Sequence, residues 1–100
     1  MPNDVSEWVE ALCVPDTHPS LPGHFPGQPV VAGVILLDLF AAHLERAGFG
    51  ALQHLSAVKF RSPLMPGQIA EMRIRVDGKQ VRFRVMRDDE LLTSGEGELA

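Results

Sequence analysis

The hydrophobic rhythm of the chain changes partway along. From Val30 to Gly48 the sequence reads VVAGVILLDLFAAHLERAG, which predicts a helix from about Gly33 to Ala47, stopped by Gly48. Its first half is not striped: Val34, Ile35, Leu36, Leu37, Leu39 and Phe40 between them cover every face. A helix apolar all round is expected to be buried on all sides, with only His43, Glu45 and Arg46 of the last turns reaching water. After Gly50 the period falls to two. Val58 and Phe60 alternate with Lys59 and Arg61; Met72, Ile74 and Val76 with Glu71, Arg73 and Arg75; Val81, Phe83 and Val85 with Gln80, Arg82, Arg84 and Met86. Such alternation predicts antiparallel strands with one wet and one dry face. Asp77-Gly78 and Asp88-Asp89 are the expected hairpin turns. A last strand, Leu91 to Leu99, is expected to be weaker, because Gly95 and Gly97 interrupt it.

Upstream, Trp8 to Val14 reads as a first strand. Pro15 to Pro29 holds five of the eight prolines together with Gly23 and Gly27, and is expected to be a rigid, non-helical loop anchored by Phe25. These elements fit one architecture. A helix apolar all round needs something to surround it, and four or five amphipathic strands supply one apolar face. The expected fold class is therefore α+β, a curved antiparallel sheet wrapped around one central buried helix. One hundred residues with 45% hydrophobic content make one such domain, residues 1–100. A single short sheet covers only part of the helix, so pairing with a second copy is expected.

Charge narrows the partners. The net charge of -4 argues against a nucleic-acid binder. Residues 1–57 carry -5, residues 58–87 carry +6 and residues 88–100 carry -5. A local basic surface on an acidic protein suits an acidic partner, although solvated strand faces account for it equally well. Cys13 is the only cysteine, which excludes an intrachain disulfide. The start, MPNDVSEWVE, lacks the basic and apolar regions of a signal peptide. The apolar stretch from Val30 to Leu44 falls short of the roughly 20 residues that a bilayer requires. No membrane association is expected, and a cytoplasmic location is the default.

Asp38 stands out chemically. It lies within VILLDLFAA, where burying an unpaired carboxylate is costly unless it is hydrogen-bonded, ion-paired or protonated. One reading pairs it with a buried backbone or arginine group; another makes it a functional acid. His24, in the Pro/Gly loop, is by itself as compatible with a structural role as with a catalytic one. Gly33 marks the helix start, where free amides and the helix dipole favour developing negative charge. A base, an acid and an amide donor within fifteen residues suit proton abstraction beside a carbonyl. His18 and His24 lack the further ligands a metal site requires, so no metal is expected. His43 and His54 are expected at the surface.

The segment GHFPGQPVVAGVILLD, Gly23 to Asp38, resembles the active-site signature of the bacterial 3-hydroxyacyl-acyl-carrier-protein dehydratases of the FabZ/FabA type. In that family a His-Phe-Pro-Gly loop leads through Pro-Val into the central helix, and an acid follows the His by fourteen positions. His24 and Asp38 keep that interval. Downstream, VKFRSPLMPGQ (Val58 to Gln68) is similar to the family's next strand and Pro-Gly turn. The resemblance spans about residues 10–99. It implies a hotdog fold and a hydro-lyase that converts a (3R)-3-hydroxyacyl thioester to the trans-2-enoyl thioester, in fatty-acid, polyketide or polyene-type biosynthesis. By the same resemblance His24 is the base, Asp38 the acid and the Gly33 amide the oxyanion donor. Phe25, Pro26, Gly27 and Val34 line the substrate tunnel.

The substrate would ride on the phosphopantetheine of an acyl carrier protein, with no separate cofactor. Lys59, Arg61 and Arg84 are the candidate docking residues, within a basic set that also includes Arg73, Arg75 and Arg82. Each site would be shared across a dimer, His from one subunit and acid from the other. That dimer is expected as a homodimer, a higher oligomer of dimers, or a heterodimer with another hotdog protein. Two departures from the family pattern are visible. Ala32-Gly33 replaces the usual Pro-Gly, and an N-terminal segment of the family is expected to be mostly missing, which would alter the tunnel rim. Two competing readings are a hotdog thioesterase, which gives the His-Phe-Pro-Gly loop no role, and a non-catalytic subunit, which gives no reason to keep Asp38.

Overall fold

The computed structural model describes residues 5–14 and 33–100. In chain order the elements are β1 (Val5–Leu12), α1 (Gly33–Arg46), β2 (Leu52–Phe60), β3 (Ala70–Asp77), β4 (Gln80–Arg87) and β5 (Glu90–Leu99). The strands form one five-stranded sheet in the order β1-β3-β4-β5-β2, with every neighbouring pair antiparallel. The sequence's period-two pattern becomes alternating burial along β3 and β4. Met72, Ile74 and Val76 lie opposite Val85, Phe83 and Val81 on the inner face. Leu36, Phe40 and Leu44 of α1 complete the same core. The Phe40 and Phe83 rings meet at a centroid distance of 4.5 Å and a tilt of 35°. Burying each such side chain contributes about 1.5–3 kcal/mol.

The helix stops where its glycine predicts, within one residue. Gly48 has φ 88°, Phe49 N–H donates to Leu44 C=O at 3.0 Å and Gly48 N–H to Glu45 C=O at 3.0 Å. This is the paired-bond Schellman stop. Phe49 then stacks on Trp8 of β1, with centroids 5.5 Å apart. The connection from β2 to β3 is tied down by Arg87, which donates to Gln68 Oε1 at 2.8 Å and pairs with Glu90 at 2.6 Å.

Several expectations are corrected. The sheet covers one side of α1, not all of it. Ile35, Leu36, Phe40, His43 and Leu44 are buried, whereas Val34 is 60% exposed and Asp38 is also exposed. A single curved layer reaches only the residues that face it. β1 begins three residues earlier than expected, because its register with β3 extends to Val5 opposite Asp77. The β3–β4 turn centres on Gly78 and Lys79, since Asp77 still pairs with Gln80. Only the first of those two residues has positive φ, 60° at Gly78, as in a type II′ hairpin turn.

β5 is not weakened by its glycines. It runs unbroken for 10 residues, because the space each glycine leaves is filled from a neighbour. A Cβ on Gly95 would meet the Phe83 ring at 2.5 Å, and one on Gly97 would meet the His54 carbonyl oxygen at 2.4 Å. β2 departs most from its pattern. Ser56 pairs with Glu96 and Lys59 with Ser94, so Ala57 and Val58 together oppose Gly95 in a bulge. Val58 and Phe60 keep the inner face that alternation gave them, opposite Gly95 and Thr93, but on this edge strand Val58 is only half-buried and Phe60 is 57% exposed. Among the described residues no helix is long and apolar enough to cross a membrane.

Gly97→Ala tests the packing of β5 on β2. The neighbour is a backbone oxygen, so relief requires the strands to separate, and the substitution should cost about 1–3 kcal/mol. Urea unfolding of the purified chain measures it. A change within a few tenths of a kcal/mol would show that the two strands can part freely.

Candidate active site

Helix α1 carries the described part of the site. It begins at Gly33, so the Gly33 amide is among the first-turn N–H groups with no intrahelical acceptor. No acidic side chain occupies that turn. Asp38 lies five residues on, about 7.5 Å along the axis. It shares the exposed face with Val34, one turn earlier. The carboxylate expected to be buried is therefore exposed in the single chain, because the sheet packs against the opposite side of the helix. Among the described residues no cation lies within ion-pair distance of it. The structure thus brings Gly33, Val34 and Asp38 together on the first half of α1. His24, Phe25, Pro26 and Gly27, with the rest of the Pro/Gly loop, lie outside the described residues.

His43 corrects the sequence reading in the opposite sense: expected at the surface, it is buried, at 8% exposure. Its Nδ1 accepts from Arg46 Nη2 at 2.7 Å. A guanidinium only donates, so this geometry calls for a neutral imidazole with its proton on Nε2. Glu10 Oε1 stands 4.0 Å from the same Nδ1 and accepts from the indole N–H of Trp8 at 3.1 Å. Glu10, His43 and Arg46 line a cleft of about 450 Å³ between β1 and α1, walled by Leu12, Ile35 and Leu39. Burial lowers the His43 pKa below its ordinary value; the Glu10 carboxylate raises it, and Arg46 lowers it further. Spacing could have revealed this residue, since His43 follows Leu36 by seven and Phe40 by three, on the buried face. His54 is exposed.

The basic residues divide into two sets. Arg75 pairs with Glu7, Arg73 with Glu71 at 3.7 Å and Arg82 with Glu96 at 3.3 Å. Lys59, Arg61 and Arg84 are exposed and, among the described residues, make no ion pair. All three border one shallow cleft on the outer face of the sheet, beside Ser94 and Gly95. Among the described residues no three His, Cys, Asp or Glu groups are placed to hold a metal ion.

With this geometry in place, comparison with known proteins decides the family. The family model described as ApeI-like, ApeI dehydratase, matches residues 2–96. The chain belongs to the ApeI-like dehydratase family. The 3-hydroxyacyl-[acyl-carrier-protein] dehydratase FabZ of Cereibacter sphaeroides is 32% identical, over 88% of this chain and 67% of the relative. FabZ of Haemophilus influenzae is 27% identical, over 70% of this chain and 55% of the relative. The chain thus spans about half the length of several curated relatives it matches.

Among solved structures, a chain of the dehydratase heterocomplex ApeI:P from Xenorhabdus doucetiae has a TM-score of 0.80 and 28% identity, covering 92% of this chain and 85% of that one. A mutant of the fluoroacetyl-CoA-specific thioesterase FlK has a TM-score of 0.61 at 16% identity, covering 98% and 85%. That second likeness is one of fold, and with the first it establishes the hotdog arrangement of a sheet curled against one helix.

His43 makes a pH dependence of stability predictable. Its folded pKa is depressed, so the unfolded chain binds the proton more readily. The stabilisation is complete above the ordinary histidine value of about 6.5 and is lost as pH falls below it toward the folded pKa. Between about pH 7 and pH 5 the parent should lose more stability than His43→Gln. Urea midpoints at the two pH values measure this. Equal losses would assign the acid sensitivity to other groups.

Proposed function

We propose that this chain removes water from a (3R)-3-hydroxyacyl thioester carried on an acyl carrier protein, leaving the trans-2-enoyl thioester. The observation that carries the reading is Asp38, an exposed acid in the otherwise apolar first half of α1, in a chain of a dehydratase family. In this scheme the thioester carbonyl accepts a hydrogen bond from the Gly33 amide, at the positive end of α1. His24 takes the proton from C2, and the electron pair forms the C2–C3 double bond. Asp38 donates a proton to the departing 3-hydroxyl, which leaves as water. The C2–H and C3–O bonds break, the C2–C3 double bond forms and no electrons are gained or lost overall, so the reaction as written asks for no redox group.

The exposed Val34–Asp38 face of α1 is the face that a second hotdog subunit would cover. A site shared across that contact would take His24 from one chain and Asp38 from the other, whether the partner is a second copy or another hotdog chain. The heterocomplex described for the Xenorhabdus relative supports keeping both forms open to test. Docking of the acidic carrier is assigned to Lys59, Arg61 and Arg84, whose charges have no partner among the described residues.

The deciding experiment is incubation of the purified chain with 3-hydroxyacyl carrier protein, followed by mass spectrometry of the carrier. Loss of one water with the thioester intact is expected. Release of free acid in its place would make the chain a thioesterase. His24→Ala and Asp38→Asn should each lower turnover by on the order of 10²-fold or more. Mixing the two variants should restore activity on subunit exchange, because a dimer then has one site with both lesions and one with neither. Verified mixed dimers that remain inactive would rule out the shared site.

Charge reversal at Lys59, Arg61 or Arg84 should slow association with the carrier and weaken its salt dependence. Turnover of small thioester mimics should change little. Equal losses with both kinds of substrate would mean that these side chains shape the fold and do not dock a partner.

A further inference from the structure

The first turn of α1 is crowded by an aromatic ring from the edge strand β2. A Cβ on Gly33 would lie 2.5 Å from Cε1 of Phe60 and 2.6 Å from its Cζ. In a helix the Cα–Cβ bond tilts toward the N-terminus, the direction in which first-turn amides also point. The ring therefore lies beside the first turn, on the side to which a Gly33 side chain would point. It is no ordinary core ring, since Phe60 is 57% exposed.

The backbone that delivers it is also unusual. β2 bulges at Ala57 and Val58, and Ala57 adopts φ 52°, a left-handed conformation that costs a non-glycine residue about 1–2 kcal/mol. Bulges commonly re-aim a side chain beside an active site. Strain of this kind persists where the surroundings impose it and concentrates at functional positions. A strained alanine and an exposed aromatic thus lie on the same strand, and the contact they lead to is with the helix start.

We propose that Phe60 is a specificity-determining residue of the dehydratase site, its ring excluding acyl groups branched at C2. The inference rests on the reading of Gly33 as the carbonyl donor. A carbonyl oxygen accepting from that amide sits about 2.9 Å from the nitrogen, and C2 is one bond beyond the carbonyl carbon. A methyl group on C2 competes for the volume that the ring already denies to a Cβ on Gly33. An unbranched chain passes beside the ring.

The test compares kcat/KM for unbranched and 2-methyl 3-hydroxyacyl thioesters in the parent, Phe60→Leu and Phe60→Ala, each first shown to be folded by circular dichroism. The parent should prefer the unbranched substrate. The preference should fall as the side chain shrinks, on the order of tenfold for Phe60→Ala, the scale of a methyl group in a shaped apolar pocket. A second readout needs no turnover. Gly33→Ala should destabilise the fold, and Phe60→Ala in the same chain should recover much of that loss, since the two groups compete for one space.

A folded Phe60→Leu chain that keeps the parent's substrate ratio overturns the inference while leaving the dehydratase reading intact. Additive stability effects of the two substitutions overturn it as well. A folded parent that dehydrates no unbranched substrate overturns the dehydratase reading and this inference with it.

Discussion

The ring of Phe83 lies between the helix and the last strand. On one side it packs against Phe40 of α1, and on the other it fills the space that a Cβ on Gly95 would need. Much of the structure follows from this seat. Gly95 is the residue opposite which β2 carries its extra residue, and Val58 of that bulge closes on the same spot, with Cγ2 3.3 Å from the missing Cβ. Past the bulge Phe60 turns toward Gly33. One aromatic contact in the core is thereby linked, through a glycine and a bulge, to the first turn of the helix where the chemistry is proposed. Close-packed interiors transmit such constraints because few voids are left to absorb them.

The helix itself is divided between two tasks. Leu36, Phe40, His43 and Leu44 face the core, and the sheet's inner row gives them their stability. Val34 and Asp38 face outward. A carboxylate on that side carries no burial penalty within one chain, which removes the need for a structural partner to excuse it. Near the other end of α1, His43 shows what burial does to a titratable group here. Burial favours its neutral form, and its Nδ1 accepts from Arg46, with Glu10 4.0 Å away. The two halves of one helix thus hold an exposed acid and a buried base, in environments set by which side the sheet covers.

The outer face of the sheet has its own logic. Cross-strand neighbours place Glu7 beside Arg75 and Glu96 beside Arg82, so part of the basic stripe neutralises itself. Such exposed pairs contribute little to stability. They matter by leaving Lys59, Arg61 and Arg84 without an ion-pair partner among the described residues, gathered at one cleft, while Lys79, also unpaired, lies at the β3–β4 turn. Net charge along the chain located the basic block, but only pairing across strands separated the occupied cations from the rest.

What the sequence determined by itself was local and periodic. The strands β3 and β4, the helix and its glycine stop are legible because alternation and capping depend on residues a few positions apart. The dehydratase family was legible from His24, Asp38 and the residues between them, since a contiguous motif survives without knowledge of the fold. The tertiary structure decided everything that depends on a neighbour distant in the chain. It decided that Asp77 stays in the ladder, that Gly95 and Gly97 admit other residues and do not break β5, and that Phe60 past the bulge meets the start of α1. It also decided that His43 is buried and Asp38 exposed, because a helix apolar on every face does not say which side the sheet will cover. Burial is a property of pairs of elements, and one chain's hydrophobic pattern records only that a covering face is needed.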